Sequence, residues 1–337
     1  MKTLHVSLGA DSYDIYVEGG LLKRAGELFR LDRKVLVVTD DGVPKAYAER
    51  LATQCDEAHI VTVPQGEGSK TLETVGQLLR VMMAHHFTRG DCVVAVGGGV
   101  TGDLAGFAAS CYMRGIDFYN LPTTLLSQID SSIGGKTGVN FGGVKNLVGA
   151  FHQPKGVLID PDLLATLPKR QIASGLAEAV KMAMTFDEEL LSLLERTSPE
   201  DDLTEIIYRS LRIKKMVVEK DEKEQGLRRV LNFGHTLGHG IEGLGTGLYH
   251  GECVALGMLP MCTDVSLRRR LAAILARLEL PLTPPDRIDE VMALVMHDKK
   301  RQASGVLCVR CDKAGSYRME QMDESALRRA YEEGFAL

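Results

Sequence analysis

No uninterrupted apolar run of about 18 residues occurs in this 337-residue chain, so no segment has the length to cross a bilayer as a helix. The first residues, Met1-Lys2-Thr3-Leu4-His5-Val6, alternate as a strand does and lack the order of a signal peptide. A cytoplasmic location is the expectation. There is no basic excess either: 40 Lys and Arg against 45 Asp and Glu give a net charge of -5 and a pI near 6.0. That excludes a general affinity for nucleic acid or anionic membrane, while leaving Lys and Arg free to gather locally around an anionic small molecule. Arg268-Arg269-Arg270 reads as a solvated helix face. Cysteine is sparse and odd in number, at seven, and lies mostly in apolar runs such as Cys92-Val93-Val94-Ala95-Val96. This excludes a disulfide framework and fits reduced, buried thiols. The one CxxC, Cys308 with Cys311, has no second CxxC or nearby histidine pair to complete a zinc site. Internal repeats and low-complexity tracts are also missing.

What is present is a soluble globular balance, 45% hydrophobic and 25% charged, on a chain long enough for two domains. In the first half, short β-branched runs alternate with amphipathic segments. Strands are expected at 34–39, 58–63 and 92–96 and helices at 44–54 and 71–85. Alternation of this kind means a parallel sheet with helices on its faces. Beyond about residue 170 apolar residues keep helical spacing over 176–195, 203–220 and 252–269. The expected organisation is thus an α/β domain over 1–165 and a mostly α-helical domain over 166–337. A late strand-like run at 305–309 interrupts the second, and the sequence does not indicate its partner.

Strand 92–96 runs straight into Gly97-Gly98-Gly99-Val100-Thr101-Gly102-Asp103 and then a helical pattern. Glycines there let the backbone approach a pyrophosphate closely, and the helix N-terminus offers unpaired N–H groups to an anion. The order is not the usual GxGxxG, so a tight turn is the alternative. Asp40 ends a strand where a carboxylate meets a ribose hydroxyl, though many such residues only cap helices. A second stretch, Leu121 through Gly138, gathers hydroxyls, Asp130, paired glycines and Lys136 where a plain connector needs only turn residues. Further on, Glu178 and Lys181 are three apart on one helix face, suited either to an ion pair or to separate metal and anion contacts. The chemical centre is Arg228-Arg229-Val230-Leu231-Asn232-Phe233-Gly234-His235-Thr236-Leu237-Gly238-His239, followed by His250-Gly251-Glu252. His235 and His239 share a helix face, so spacing alone pairs them on one metal or anion. A hydrogen-bonded core role is the bland alternative for any single histidine, but clustered titratable groups mark sites.

Together these stretches closely resemble the 3-dehydroquinate synthase family, over almost the whole chain from Gly66-Glu67-Gly68-Ser69-Lys70 to Asp298-Lys299-Lys300. The resemblance implies a Rossmann-like N-terminal domain holding NAD, a helical C-terminal domain holding zinc, an active site between them and a homodimer; a Glu-His-His ligand set suits cobalt as well. It implies metal ligands Glu178, His235 and His250, with His239 facing the substrate for proton transfer. Residues matching Asp40, Glu67, Lys70, Gly99, Val100, Asp103, Thr123, Thr124, Asp130, Ser131, Lys145 and Asn146 would contact or position NAD. Those matching Arg114, Lys136, Lys181, Lys214, Arg228, Asn232, His239, Lys299 and Lys300 would hold the substrate, some from a neighbouring subunit. The implied activity converts 3-deoxy-D-arabino-heptulosonate 7-phosphate to 3-dehydroquinate in the shikimate pathway, by transient oxidation, phosphate elimination, re-reduction and aldol closure. NAD returns unchanged, so the net step is a lyase reaction.

The chain departs from the family at Val144, where glycine is usual, at Gly240, where alanine is common, and over Leu307-Cys308-Val309-Arg310-Cys311-Asp312. Rival readings are a sister cyclase making an inosose or valiolone, a metal-dependent polyol dehydrogenase that would release NADH, and an inactive binding relative. Lys136, Asn232, His239 and Lys299 fit the dehydroquinate pattern, and the dense set of cations fits a substrate with two anionic ends.

Overall fold

The computed structural model describes residues 1–196, 199–297 and 305–335 and separates into two compact units, Met1–Leu167 and Pro168–Leu337. The first contains β1 (Lys2–Val6), β2 (Tyr13–Val17), a single turn α1 (Ala25–Leu28), β3 (Lys34–Asp40), α2 (Lys45–Ala52), β4 (Glu57–Val63) and α3 (Leu72–Ala84). It continues with β5 (Cys92–Gly97), α4 (Gly99–Cys111), β6 (Asp117–Pro122), the hairpin β7 (Lys136–Phe141) and β8 (Val144–Phe151), and β9 (Gly156–Ile159). Seven strands form one sheet in the order β1-β2-β9-β6-β5-β3-β4. Only the β1–β2 pair is antiparallel.

The unbroken apolar runs of β3 and β5 follow from burial on both faces. Leu36, Val38, Val93 and Ala95 pack with Leu78 of α3 and Leu104 of α4. Their neighbours Val35, Val37, Cys92, Val94 and Val96 pack on the other face with Ala48 and Leu51 of α2. The chain leaves β3 for β4 on one side and returns to β5 on the other. The order therefore reverses between β3 and β5, whose carboxyl ends open a crevice.

The second unit is α5 (Lys169–Phe186), α6 (Glu188–Arg196), α7 (Pro199–Lys220), α8 (His235–Gly243), α9 (His250–Met261), α10 (Val265–Arg277), α11 (Ile288–His297), β10 (Val306–Arg310), β11 (Arg318–Met322) and α12 (Glu324–Gly334). Two expected long helices are each broken. The one over 176–195 stops at Asp187, which is extended at φ -145°, and its Oδ1 accepts from the Leu190 N–H at 3.0 Å to start α6. The one over 252–269 ends after Pro260, and Asp264 caps α10 by accepting from the Leu267 N–H at 2.7 Å. Between them Cys262 forms a parallel bridge with Cys311, with the Cys311 N–H donating to Met261 O and the Thr263 N–H to Cys311 O. The late run becomes β10, paired antiparallel with β11 from Val306↔Met322 to Arg310↔Arg318. Cys308 and Cys311 are buried and form no disulfide. No described helix is long and apolar enough to cross a membrane.

Candidate active site

At the crevice, α4 begins immediately after β5, with Gly98 as its N-cap and no side chain capping it. A Cβ on Gly98 would stand 3.1 Å from Thr124 Cγ2, and one on Gly99 would stand 3.0 Å from Ser131 Oγ. Glycine lets the loop lie against the Thr123–Ser131 stretch without displacing those side chains, and the Thr123 N–H fixes that stretch by donating to Gly97 O at 3.0 Å. Asp40 ends the adjacent strand, accepting from Thr101 Oγ1 at 2.8 Å and from the Gly42 N–H at 3.0 Å. Ser131 Oγ and Thr39 Oγ1 are buried with no hydrogen-bond partner among the described residues. Uncapped N–H groups, close-approach glycines and orphan hydroxyls fit a dinucleotide with its pyrophosphate at the helix N-terminus.

A polar chain flanks this loop. Buried Lys70 donates to Asp103 and Asn146, each at 2.5 Å. Asn146, in the left-handed region at φ 54°, donates its N–H to Asn140 Oδ1 at 2.9 Å, and Asn140 donates to Glu67 at 2.8 Å. Burial pushes the Asp103 carboxyl up to about 6, against the pull of Lys70. Lys136 opens β7 as an exposed residue and is near enough to act on the Asp103 charge. Val100, Asp130 and Lys145 lie on the same loop, stretch and hairpin. Arg114 does not join them: it follows the far end of α4, about 20 Å along the helix from the glycines.

In the second unit, α5, α8 and α9 pack together because their contact points lack side chains. A Cβ on Gly251 would collide with Ser174 O of α5, and one on Gly257 with Gly234 O at the start of α8. Arg170 of α5 grips Glu252 of α9 with two bonds, at 2.6 and 2.7 Å. Glu252 also accepts from the Tyr249 N–H at 2.7 Å. It is therefore the N-terminal anchor of α9, not a further acidic group among the histidines.

These crossings bring Glu178, Lys181, His235, His239 and His250 together. Glu178 and Lys181 are each 1% exposed and form an ion pair through Oε2. Glu178 Oε1 faces His235 Nε2 at 3.6 Å and His250 Nε2 at 3.5 Å. Both separations are long for hydrogen bonds and close to the ligand-to-ligand edge of about 3.4 Å in a tetrahedral zinc site with bonds near 2.1 Å. The His235, His239 and His250 nitrogens also lie within 4.8 Å of one another, but His239 is exposed whereas Glu178 is buried. Glu178 with His235 and His250 is the tighter set. Burial would raise the Glu178 carboxyl, yet Lys181 and the two imidazoles hold it well below the carboxylate range. Burial holds His235 down to about 3, overriding Glu178, so its ring is neutral as a metal ligand must be. For His250 burial is outweighed by the Glu178 and Glu242 carboxylates facing its two ring nitrogens, which raise it to about 9.

Lys214 is buried on α7 and Arg228 in a 3-10 segment (Leu227–Asn232) that packs against α5 and α7. Arg228 donates to Glu222 O at 2.6 Å, and exposed Asn232 to Glu224 at 3.2 Å. Lys299 and Lys300 lie outside the described residues. Sequence reading missed Asn140, Thr101 and Glu242. Asn140 precedes a Gly-Gly turn and reads as turn chemistry, whereas Glu242 carries a usable signal: it is seven residues beyond His235 on the same helix face.

Sequence models of the 3-dehydroquinate synthase N-terminal and C-terminal regions match residues 60–174 and 175–301. The 3-dehydroquinate synthase of Saccharophagus degradans is 42% identical over 340 residues, covering 94% of each chain. Among solved structures, 2-epi-5-epi-valiolone synthase from Streptomyces hygroscopicus subsp. jinggangensis, with NAD+ and Zn2+ bound, superposes with a TM-score of 0.87 at 30% identity, over 97% of this chain and 98% of that one. A 2-deoxy-scyllo-inosose synthase complexed with carbaglucose-6-phosphate, NAD+ and Co2+ also gives 0.87, at 26% identity, over 99% of this chain and 100% of that one. With both regions matched in order and identity of 42% along nearly its full length, this chain belongs to the 3-dehydroquinate synthase family.

Proposed function

We propose that this chain is an NAD- and divalent-metal-dependent lyase converting 3-deoxy-D-arabino-heptulosonate 7-phosphate to 3-dehydroquinate and phosphate, within aromatic amino acid biosynthesis. The observation that carries the reading is Glu178 Oε1 set 3.6 and 3.5 Å from two imidazole nitrogens, with a partnered lysine on its other oxygen. Glu178, His235 and His250 would hold zinc or cobalt, both suited to this donor set. The loop from Gly99 to Asp103, with Asp40, Glu67, Lys70, Thr123, Thr124, Asp130, Ser131, Lys145 and Asn146, would hold NAD. When bound, the nicotinamide supplies a hydride acceptor and donor and the metal polarises the hydroxyl being oxidised.

The chain's own groups do the rest. Lys181 neutralises Glu178 and keeps its Oε1 turned to the histidines. His239, exposed beside them, holds or passes a proton at the substrate. Lys136, Lys214, Arg228 and Asn232, with Lys299 and Lys300, pair with the substrate's carboxylate, phosphate and hydroxyls. Arg114 serves a neighbouring copy, since it stands at the far end of α4; a homodimer in the cytoplasm accompanies this reading.

The test is phosphate release from 3-deoxy-D-arabino-heptulosonate 7-phosphate with catalytic NAD and added zinc, following NADH absorbance. Phosphate release without net NADH is expected. A folded, metal-loaded sample that releases phosphate from sedoheptulose 7-phosphate or glucose 6-phosphate instead would move the assignment to a sister cyclase.

A further inference from the structure

Each imidazole turns Nε2 toward Glu178 and makes a second contact through Nδ1. For His235 the second contact is local: Nδ1 lies 3.2 Å from Phe233 O, two residues back in its own chain. A carbonyl only accepts, so Nδ1 carries the proton and the lone pair sits on Nε2, toward Glu178. For His250, at the start of α9, the second contact comes from another helix. Its Nδ1 lies 3.2 Å from Glu242 Oε2, on α8 and seven residues beyond His235. The Glu242 side chain is 20% exposed, enclosed enough for this contact to direct the ring.

We propose that Glu242 is a positioning residue for the metal centre. Its carboxylate holds the proton on His250 Nδ1 and aims the Nε2 lone pair at the point shared with Glu178 and His235. The inference rests on the metal reading above and adds a division of labour: α8 supplies one ligand directly and orients the ligand of α9. An anionic partner also makes His250 a stronger donor than His235, whose partner is a neutral carbonyl.

The test is cobalt titration of the full chain after stripping with a chelator, comparing the unsubstituted protein with E242Q and E242D. Affinity and the visible cobalt band are the readouts, and thermal unfolding of the metal-free forms monitors folding. E242Q keeps the size of the side chain and removes its charge. A loss of roughly 10–100-fold in cobalt affinity is expected, with an altered band; E242D, which retains the carboxylate, should fall between. Unchanged affinity and an unchanged band in E242Q would overturn the inference while leaving the metal reading intact. Should E242Q not fold, E242D decides in the same way, lower affinity supporting the role and identical titration overturning it. No cobalt binding by the unsubstituted chain would overturn the metal reading and Glu242's role with it.

Discussion

His235 and Lys136 separate the two proposed functions by residue. His235→Ala removes one of three converging ligand atoms, so zinc no longer binds and turnover is lost, measurable by metal analysis of the dialysed protein. Lys136→Ala leaves those ligands intact: metal content should be unchanged while kcat/KM falls by about tenfold to a hundredfold, the scale of one charge-assisted bond. Normal turnover in K136A would remove the hairpin strand from the substrate site. Asp103 gives a pH prediction. Its carboxyl is raised to about 6 in the fold from an unfolded value near 3.9, so the folded state binds more protons between them. Its contribution is therefore full below about pH 4 and is lost as pH rises through 6. Relative to D103N, the ligand-free protein should lose of order 2 kcal/mol between pH 4 and pH 7, read from unfolding curves at the two pH values.

At the scale of elements, the helix crossings decide the site. Gly257→Ala puts a methyl group into Gly234 O, at the turn that launches His235, and backbone cannot yield as a side chain tip does. A loss of about 1–3 kcal/mol is expected, with weaker zinc binding because α8 and α9 part. Gly76→Ala is the contrast: on α3, the nearest atom to its Cβ is the end of Arg80, at 3.5 Å, so about 0.5–1 kcal/mol of stabilisation is expected in thermal unfolding. The same scale shows where sequence reading stops. β3 and β5 were legible because burial on both faces demands an unbroken apolar run. The breaks at Asp187 and at Cys262 to Asp264 were not, because apolar spacing continues across them. What restarts the chain as a new helix after each break is a carboxylate accepting from a backbone N–H, and such a residue looks like any polar position on a helix face.

For the whole molecule, ligand binding should appear as stability in each unit. Zinc at a hundred times its Kd adds about 2.7 kcal/mol by mass action, and a unit of this size moves by about 2–4 °C per kcal/mol. Chelation of the zinc-loaded protein should lower the melting temperature accordingly. In H235A the response to zinc should vanish while the response to NAD persists, because the glycine loop and the histidines lie in different units. An H235A protein still stabilised by zinc would place the metal elsewhere.

The kinds of groups available, their order along the chain and the elements that carry β5 and the glycine loop are local properties, set by side-chain periodicity and backbone freedom within a few residues. The choice among the histidines is not local. Spacing paired His235 with His239, and the family resemblance substituted Glu178 and His250. Only the packing of Gly251 on Ser174 and Gly257 on Gly234 brings a carboxylate from α5 and an imidazole from α9 to the same side of His235. Convergence of three helices depends on how closely their backbones approach, and that distance is set by contacts between segments far apart in the chain.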